Sequence, residues 1–80
     1  MMREDVRIKL QNIFEDVFDN VSIVLNDETS AVDIDGWDSL THITILSAVQ
    51  DEFSISFNIN EIVEMKNVGD IIDCIIKKMK

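Results

Sequence analysis

Eighty residues suffice for one domain and not for two, because a chain this short buries too small a share of its surface to support a second core. An apolar fraction of 46% is that of a folded protein and excludes general disorder. Sixteen acidic residues against seven basic ones leave a formal charge of −9, which repels phosphate backbones and anionic membrane surfaces and weighs against nucleic acid as a partner.

No run approaches the roughly eighteen consecutive apolar residues of a membrane span, and "MMREDVRIKLQ" is acidic and amphipathic, unlike a secretory signal. A cytoplasmic monomer with no membrane insertion is expected. The single cysteine, Cys74, forms no internal disulfide, which agrees with a reducing compartment. With His42 as the only histidine, a tetrahedral zinc site of Cys and His ligands is excluded. Proline is absent and the only glycines are Gly36 and Gly69, so the punctuation of an all-β domain is missing and helices should dominate.

The first element is a helix over residues 3 to 19, where Val6, Leu10, Ile13, Phe14, Val17 and Phe18 recur at spacings of three and four. Residues 20 to 37 hold clusters of Asn, Asp, Ser and Thr without helical period. A connection of that length needs apolar pins to stay ordered, and Val21, Ile23, Val24, Leu25, Val32 and Ile34 are the candidates. Trp37 reads as a plug for the corner between this loop and the next helix.

Asp38 is a good N-cap and opens a second helix that runs to about Phe53, with Ser39 in its first turn. At about 100° per residue, His42, Ile45, Leu46, Val49 and Phe53 share the buried face. Leu40 lies nearly opposite, beside Thr44, Ala48 and Asp51, with Ile43 and Ser47 on the flank. An outward leucine immediately after the serine marks a docking surface. "SISFNIN", residues 54 to 60, alternates like a strand but has no partner strand, so an extended loop is expected. A short helix over Asn60 to Met65, capped by Asn60, should follow. The last helix carries Val68, Ile71, Ile72, Ile75, Ile76 and Met79, is capped by Asn67, and places Lys77, Lys78 and Lys80 at the negative end of its dipole. The expected fold is all-α: a small bundle of three main helices plus one short helix, with a long first loop.

The serine in "DIDGWDSLTHITIL" admits several chemistries. As a hydrolase nucleophile it would need a general base, and His42, three residues on, points toward the apolar face; no Gly-x-Ser-x-Gly elbow or obvious substrate cleft accompanies it. As part of a calcium loop the acidic residues Asp33, Asp35 and Asp38 fail in both EF-hand registers, one placing Asp38 at the obligatory glycine and the other His42 at the closing glutamate. As an attachment point the serine fits, because a phosphate ester in the first turn would meet unpaired backbone N–H groups and the positive end of the dipole. A non-catalytic helical interaction adaptor without any prosthetic group is the competing class.

With "Asp38-Ser39-Leu40" opening the second helix, "Glu52-Phe53" closing it, and "Asn67-Val68-Gly69-Asp70-Ile71-Ile72" in the last, the chain resembles the acyl carrier proteins over nearly its whole length. The resemblance implies that Ser39 receives phosphopantetheine from coenzyme A through a phosphopantetheinyl transferase, with Asp38 as the helix cap beside the site. It implies a protein that catalyses nothing, carries acyl groups as thioesters on that arm, and presents them to acyl ligase, transferase or synthase enzymes. Such proteins shelter the acyl chain between their helices. Leu40, Ile43, Thr44, Ser47, Glu61 and Glu64 are the candidate docking residues. Carriers of primary fatty-acid synthesis show several acids along the outward face of the second helix, whereas here that face reads Thr41, Thr44, Ser47 and Ala48, with acid only at Asp38, Asp51 and Glu52. Trp37 and the Thr-His pair after Leu40 resemble specialised carriers instead, including polyketide-like, aminoacyl and surface-polysaccharide types. Cys74 flanks the last stripe as a partly buried structural residue.

Overall fold

The structure, a computed structural model, describes residues 3–19 and 22–79. Four helices follow in chain order: α1 (Arg3–Phe18), α2 (Ser39–Phe53), α3 (Ile59–Glu64) and α4 (Val68–Met79). Among the described residues there is no strand, and the alternating stretch after α2 is extended loop, as its lack of a partner dictates. Val21 and Lys80, assigned above to the loop pins and to the end of the last helix, lie outside the described residues.

The stripes read from the sequence meet in one core. Val6, Leu10 and Phe14 of α1 pack with Ile45, Leu46, Val49 and Phe53 of α2 and with Val68, Ile71, Ile72 and Ile75 of α4. The most extensive helix contacts are α1 with α2 and α1 with α4, so α1 is the spine of the bundle. Ile76 is half-buried, and Met79, placed on the buried stripe by its spacing, is 42% exposed at the last residue of α4.

The long first connection is pinned by fewer residues than expected. Ile23 and Leu25 are buried, but Val24 and Val32 are 78% and 93% exposed, and Ile34 is half-buried. Burial alternates along this stretch, Ser22 and Val24 being exposed on either side of buried Ile23, so Val24 falls on the solvent side. Backbone groups on the inner side are held by the Gln11 amide, which accepts from Leu25 N–H at 2.9 Å and donates to the Ile23 carbonyl. Gln50 repeats the device on the second connection, accepting from Phe57 N–H at 2.8 Å. Gly36 turns the chain with φ of 90°, a left-handed conformation that favours glycine, and lies against the Phe18 ring.

The connection also serves as the cap of α4. Val68 N–H donates to the Thr29 carbonyl at 2.8 Å and Gly69 N–H to the Asp27 carbonyl at 2.9 Å, while Asp70 N–H reaches Asn67 Oδ1 at 2.8 Å. Three N–H groups that a helix start leaves orphaned are thereby satisfied. The close approach favours glycine at position 69, since a Cβ there would lie 3.0 Å from the Asp27 carbonyl oxygen and 3.3 Å from the Asp27 Cβ. Gly69→Val is accordingly expected to destabilise the domain by about 2 kcal/mol through overpacking against backbone. A denaturation midpoint equal to wild type would show that the loop gives way freely.

α3 begins at Ile59 and is capped by Asn58, two residues earlier than the Asn60 cap expected from sequence. The reason is reciprocity. Asn58 Oδ1 accepts from Glu61 N–H at 2.9 Å and Glu61 Oε1 accepts from Asn58 N–H at 2.9 Å, a capping box that Asn60 cannot form because Val63 stands three residues after it. None of the residues of α3 is buried. It is held by Lys78, 2.9 Å from Glu61 Oε1, and by a contact to α2 described below.

Candidate functional site

Ser39 is the first residue of α2 and its position is set by the cap before it. Asp38 is extended, and its Oδ1 accepts from Leu40 N–H and Thr41 N–H, both at 3.0 Å. Thr41 Oγ1 in turn accepts from Asp38 N–H at 2.8 Å and donates to the Gly36 carbonyl at 2.8 Å. This is a capping box with threonine in the place usually held by Glu or Gln, and it fixes the turn that leaves the Ser39 side chain exposed. Thr41 was read above only as part of the outward face; its spacing of three from Asp38 was the available signal.

The hydrogen bond from Thr41 N–H, followed by those from the Thr41 hydroxyl and Leu40 N–H, holds the Asp38 carboxyl below the ordinary aspartate range. A carboxylate whose folded pKa is depressed contributes stability that is present above its unfolded pKa and lost as pH falls through the folded value. Wild type is therefore expected to melt above Asp38→Asn at neutral pH, with the gap closing in strong acid. A gap independent of pH, read from thermal melts across that range, would remove the charge from the cap's role.

His42 is half-buried and has no capacity left for Ser39. Trp37 Nε1–H donates to His42 Nδ1 at 3.2 Å, and His42 Nε2 lies 3.2 Å from the Ile62 carbonyl oxygen. An accepting Nδ1 places the proton on Nε2, so the second nitrogen donates to α3. Among the described residues the Ser39 hydroxyl makes no hydrogen bond to a protein group. The expectation that Ser39 lacks a usable base agrees with this geometry. Trp37 is buried as the corner plug, edge-on to Phe14 with ring centroids 5.1 Å apart.

Beside Ser39 lies an open recess of about 390 Å³ bordered by Ala31, Trp37, Asp38, His42, Met65 and Lys66. Ala31, Met65 and Lys66 carry no local signal in the sequence, because only the folding of the first connection and of the segment before α4 onto α2 brings them there. The recess combines apolar walls with one cation, and Ser39 presents its hydroxyl at the positive end of the α2 dipole, so a phosphodiester and a slender arm fit the residues present.

The candidate docking residues divide. Leu40 is 74% exposed and Ile43 52%, with Thr44 and Ser47 also exposed on α2 and Glu64 exposed on α3. Glu61 is half-buried, shared between the α3 cap and Lys78, whose hydrogen bond first and foremost lowers its pKa. Glu52 pairs with Lys9 of α1 at 3.2 Å, which turns one of the two acids within α2 toward the bundle. Burial pushes the Cys74 thiol up, as befits a half-buried structural residue. Among the described residues no helix is long and apolar enough to cross a membrane, and no cluster of His, Cys, Asp or Glu could hold a metal ion.

Comparison with known proteins points the same way. A family model described as "Phosphopantetheine attachment site" matches residues 9–75. The solution NMR structure of a holo acyl carrier protein from Geobacter metallireducens is similar, with 45% identity, 91% of this chain and 84% of that chain covered, and a TM-score of 0.85. No curated protein matches in sequence.

Proposed function

Because this chain belongs to the phosphopantetheine attachment family, we propose that Ser39 is the residue that bears the arm and that the protein serves a dedicated ligase or transferase pathway. It is an acyl carrier protein, all-helical and non-catalytic, with phosphopantetheine as a covalently attached prosthetic group. The group supplies a terminal thiol on which an acyl chain travels as a thioester.

The observation that carries the assignment is the pairing of an exposed serine with a rigid helix mouth. The Ser39 oxygen would displace the nucleotide portion of coenzyme A at phosphorus, breaking the phosphoanhydride and forming the phosphodiester. The chain provides no base for the serine proton, since both His42 nitrogens are engaged, so that proton must go to the phosphopantetheinyl transferase. After transfer, the dipole of α2 favours the phosphodiester charge and Lys66 adds a cation at the rim of the recess.

The pathway reading rests on the face that partners would meet. Asp38 is committed to the cap and Glu52 to Lys9, so α2 offers a surface of Leu40, Ile43, Thr44 and Ser47 with little free acid. α3 adds Glu64 and, through its cap, Glu61. Such a surface selects partners by apolar fit more than by basic patches. Polyketide-like, aminoacyl or surface-polysaccharide enzymes are the partner classes proposed.

Incubation with coenzyme A and a promiscuous phosphopantetheinyl transferase should add the mass of one phosphopantetheine to wild type and none to Ser39→Ala. Absence of any gain in wild type, or a gain that survives the substitution, would overturn the assignment.

A further inference from the structure

Lys66 lies in the short segment between α3 and α4, and its backbone is held on both sides. Met65 before it is buried, Asn67 after it bridges to Ser30 of the first connection, and Lys66 N–H donates to Asp70 Oδ2 at 3.0 Å. Its side chain, by contrast, is exposed and uncommitted. Among the described residues Arg3, Arg7, Lys9 and Lys78 each stand in an ion pair, whereas the ammonium groups of Lys66 and Lys77 stand in none. A chain with a formal charge of −9 thus leaves a cation unpaired at the border of the recess that Ser39 shares.

The recess can take more than the phosphate. Its volume of about 390 Å³ falls within the range of small-molecule sites, roughly 300–1,000 Å³, and Trp37 and Met65 give it apolar wall. Asp38 borders it as well, with Oδ1 given to the N–H groups of Leu40 and Thr41, and its charge has the same sign as a phosphodiester on the neighbouring Ser39. Repulsion from Asp38 and attraction to Lys66 therefore act together, drawing that phosphodiester away from the cap and toward the segment before α4.

We infer that Lys66 is the positioning residue that folds the arm back over the recess: its ammonium pairs with the phosphodiester on Ser39, and the branched, dimethylated end of the pantetheine chain then lies along Trp37 and Met65. The inference rests on the attachment of the arm at Ser39. Because the pair is solvent-exposed it is weak, so the arm exchanges between this docked state and a free one in which the thiol reaches a partner enzyme.

The test converts wild type, Lys66→Gln, Lys66→Arg and Lys77→Gln to the holo form and records NMR spectra of each beside its apo form. Intact mass confirms loading first, so a failure of Ser39 to accept the arm is seen separately and overturns the attachment reading along with this one. In wild type the indole N–H of Trp37, the only tryptophan, should shift on loading, and the geminal methyls of the arm should show nuclear Overhauser contacts to the Trp37 ring and the Met65 methyl. Lys66→Gln should weaken both signals about two- to fivefold, the scale of one exposed ion pair, and about 1 M salt should do the same to wild type. Lys66→Arg should restore them, since it keeps the cation. Lys77→Gln removes the same charge from α4 outside the recess and should leave them unchanged. Absence of both signals in wild type would overturn the docked arm. Signals that survive in Lys66→Gln, or that fall equally in Lys77→Gln, would overturn Lys66 as the residue that holds it.

Discussion

Phe14→Ala is expected to lower the thermal midpoint by roughly 15–30 °C, the largest effect of any single truncation considered for this domain. Phe14 is fully buried on α1, the helix that packs against both α2 and α4. Its ring meets Trp37 edge-on at 5.1 Å and Phe18 at 5.8 Å in a tilted arrangement. Removing it leaves a cavity among residues from three elements, and a buried Phe→Ala change costs about 3–5 kcal/mol. A domain of this size has a total stability of roughly 4–12 kcal/mol, so a quarter or more would be lost. Loss of the Phe14 edge would also loosen Trp37, and through it the corner that presents Ser39. Circular dichroism melts decide the matter: a fall of only a few degrees would mean that Phe14 is not the centre of the core.

Leu40→Asp should leave the melt nearly unchanged while reducing acyl transfer to and from partner enzymes by on the order of tenfold or more. Leu40 is 74% exposed, so its side chain contributes little to the core. It is also the second residue of α2, where a carboxylate is favoured by the positive end of the helix dipole. Thus the substitution is matched to the backbone and opposed only to a partner's apolar pocket, with repulsion of the neighbouring phosphodiester confined to the surface. Transfer rates for the loaded variant, set beside its unfolding curve, separate the two roles. A large drop in stability would place Leu40 in the core, and unchanged transfer would remove it from the docking surface.

Much of the site was legible because its signals are local. An Asp38 cap followed by Ser39 at the helix mouth depends on neighbours in the chain, and the outward direction of Leu40 follows from helical geometry alone. The reading went wrong at α3 for an equally local reason: the Asn58 to Glu61 capping box was present but the later asparagine was preferred. Val24 and Val32 were misplaced because an irregular connection has no period from which to read a face.

The four-helix order, the membership of the core stripes and the exposed serine are all dictated by residue patterns of three and four and by caps, which a chain carries into any environment. Folding alone decided the rest. Gln11 and Gln50 hold backbone groups of the two connections, and Asp27 and Thr29 cap a helix some forty residues away. Glu52 turns to Lys9, and Trp37 reaches α3 through His42. Each is a directional bond between distant segments that becomes possible only after apolar burial has brought them together, and such bonds leave no periodic trace in the sequence.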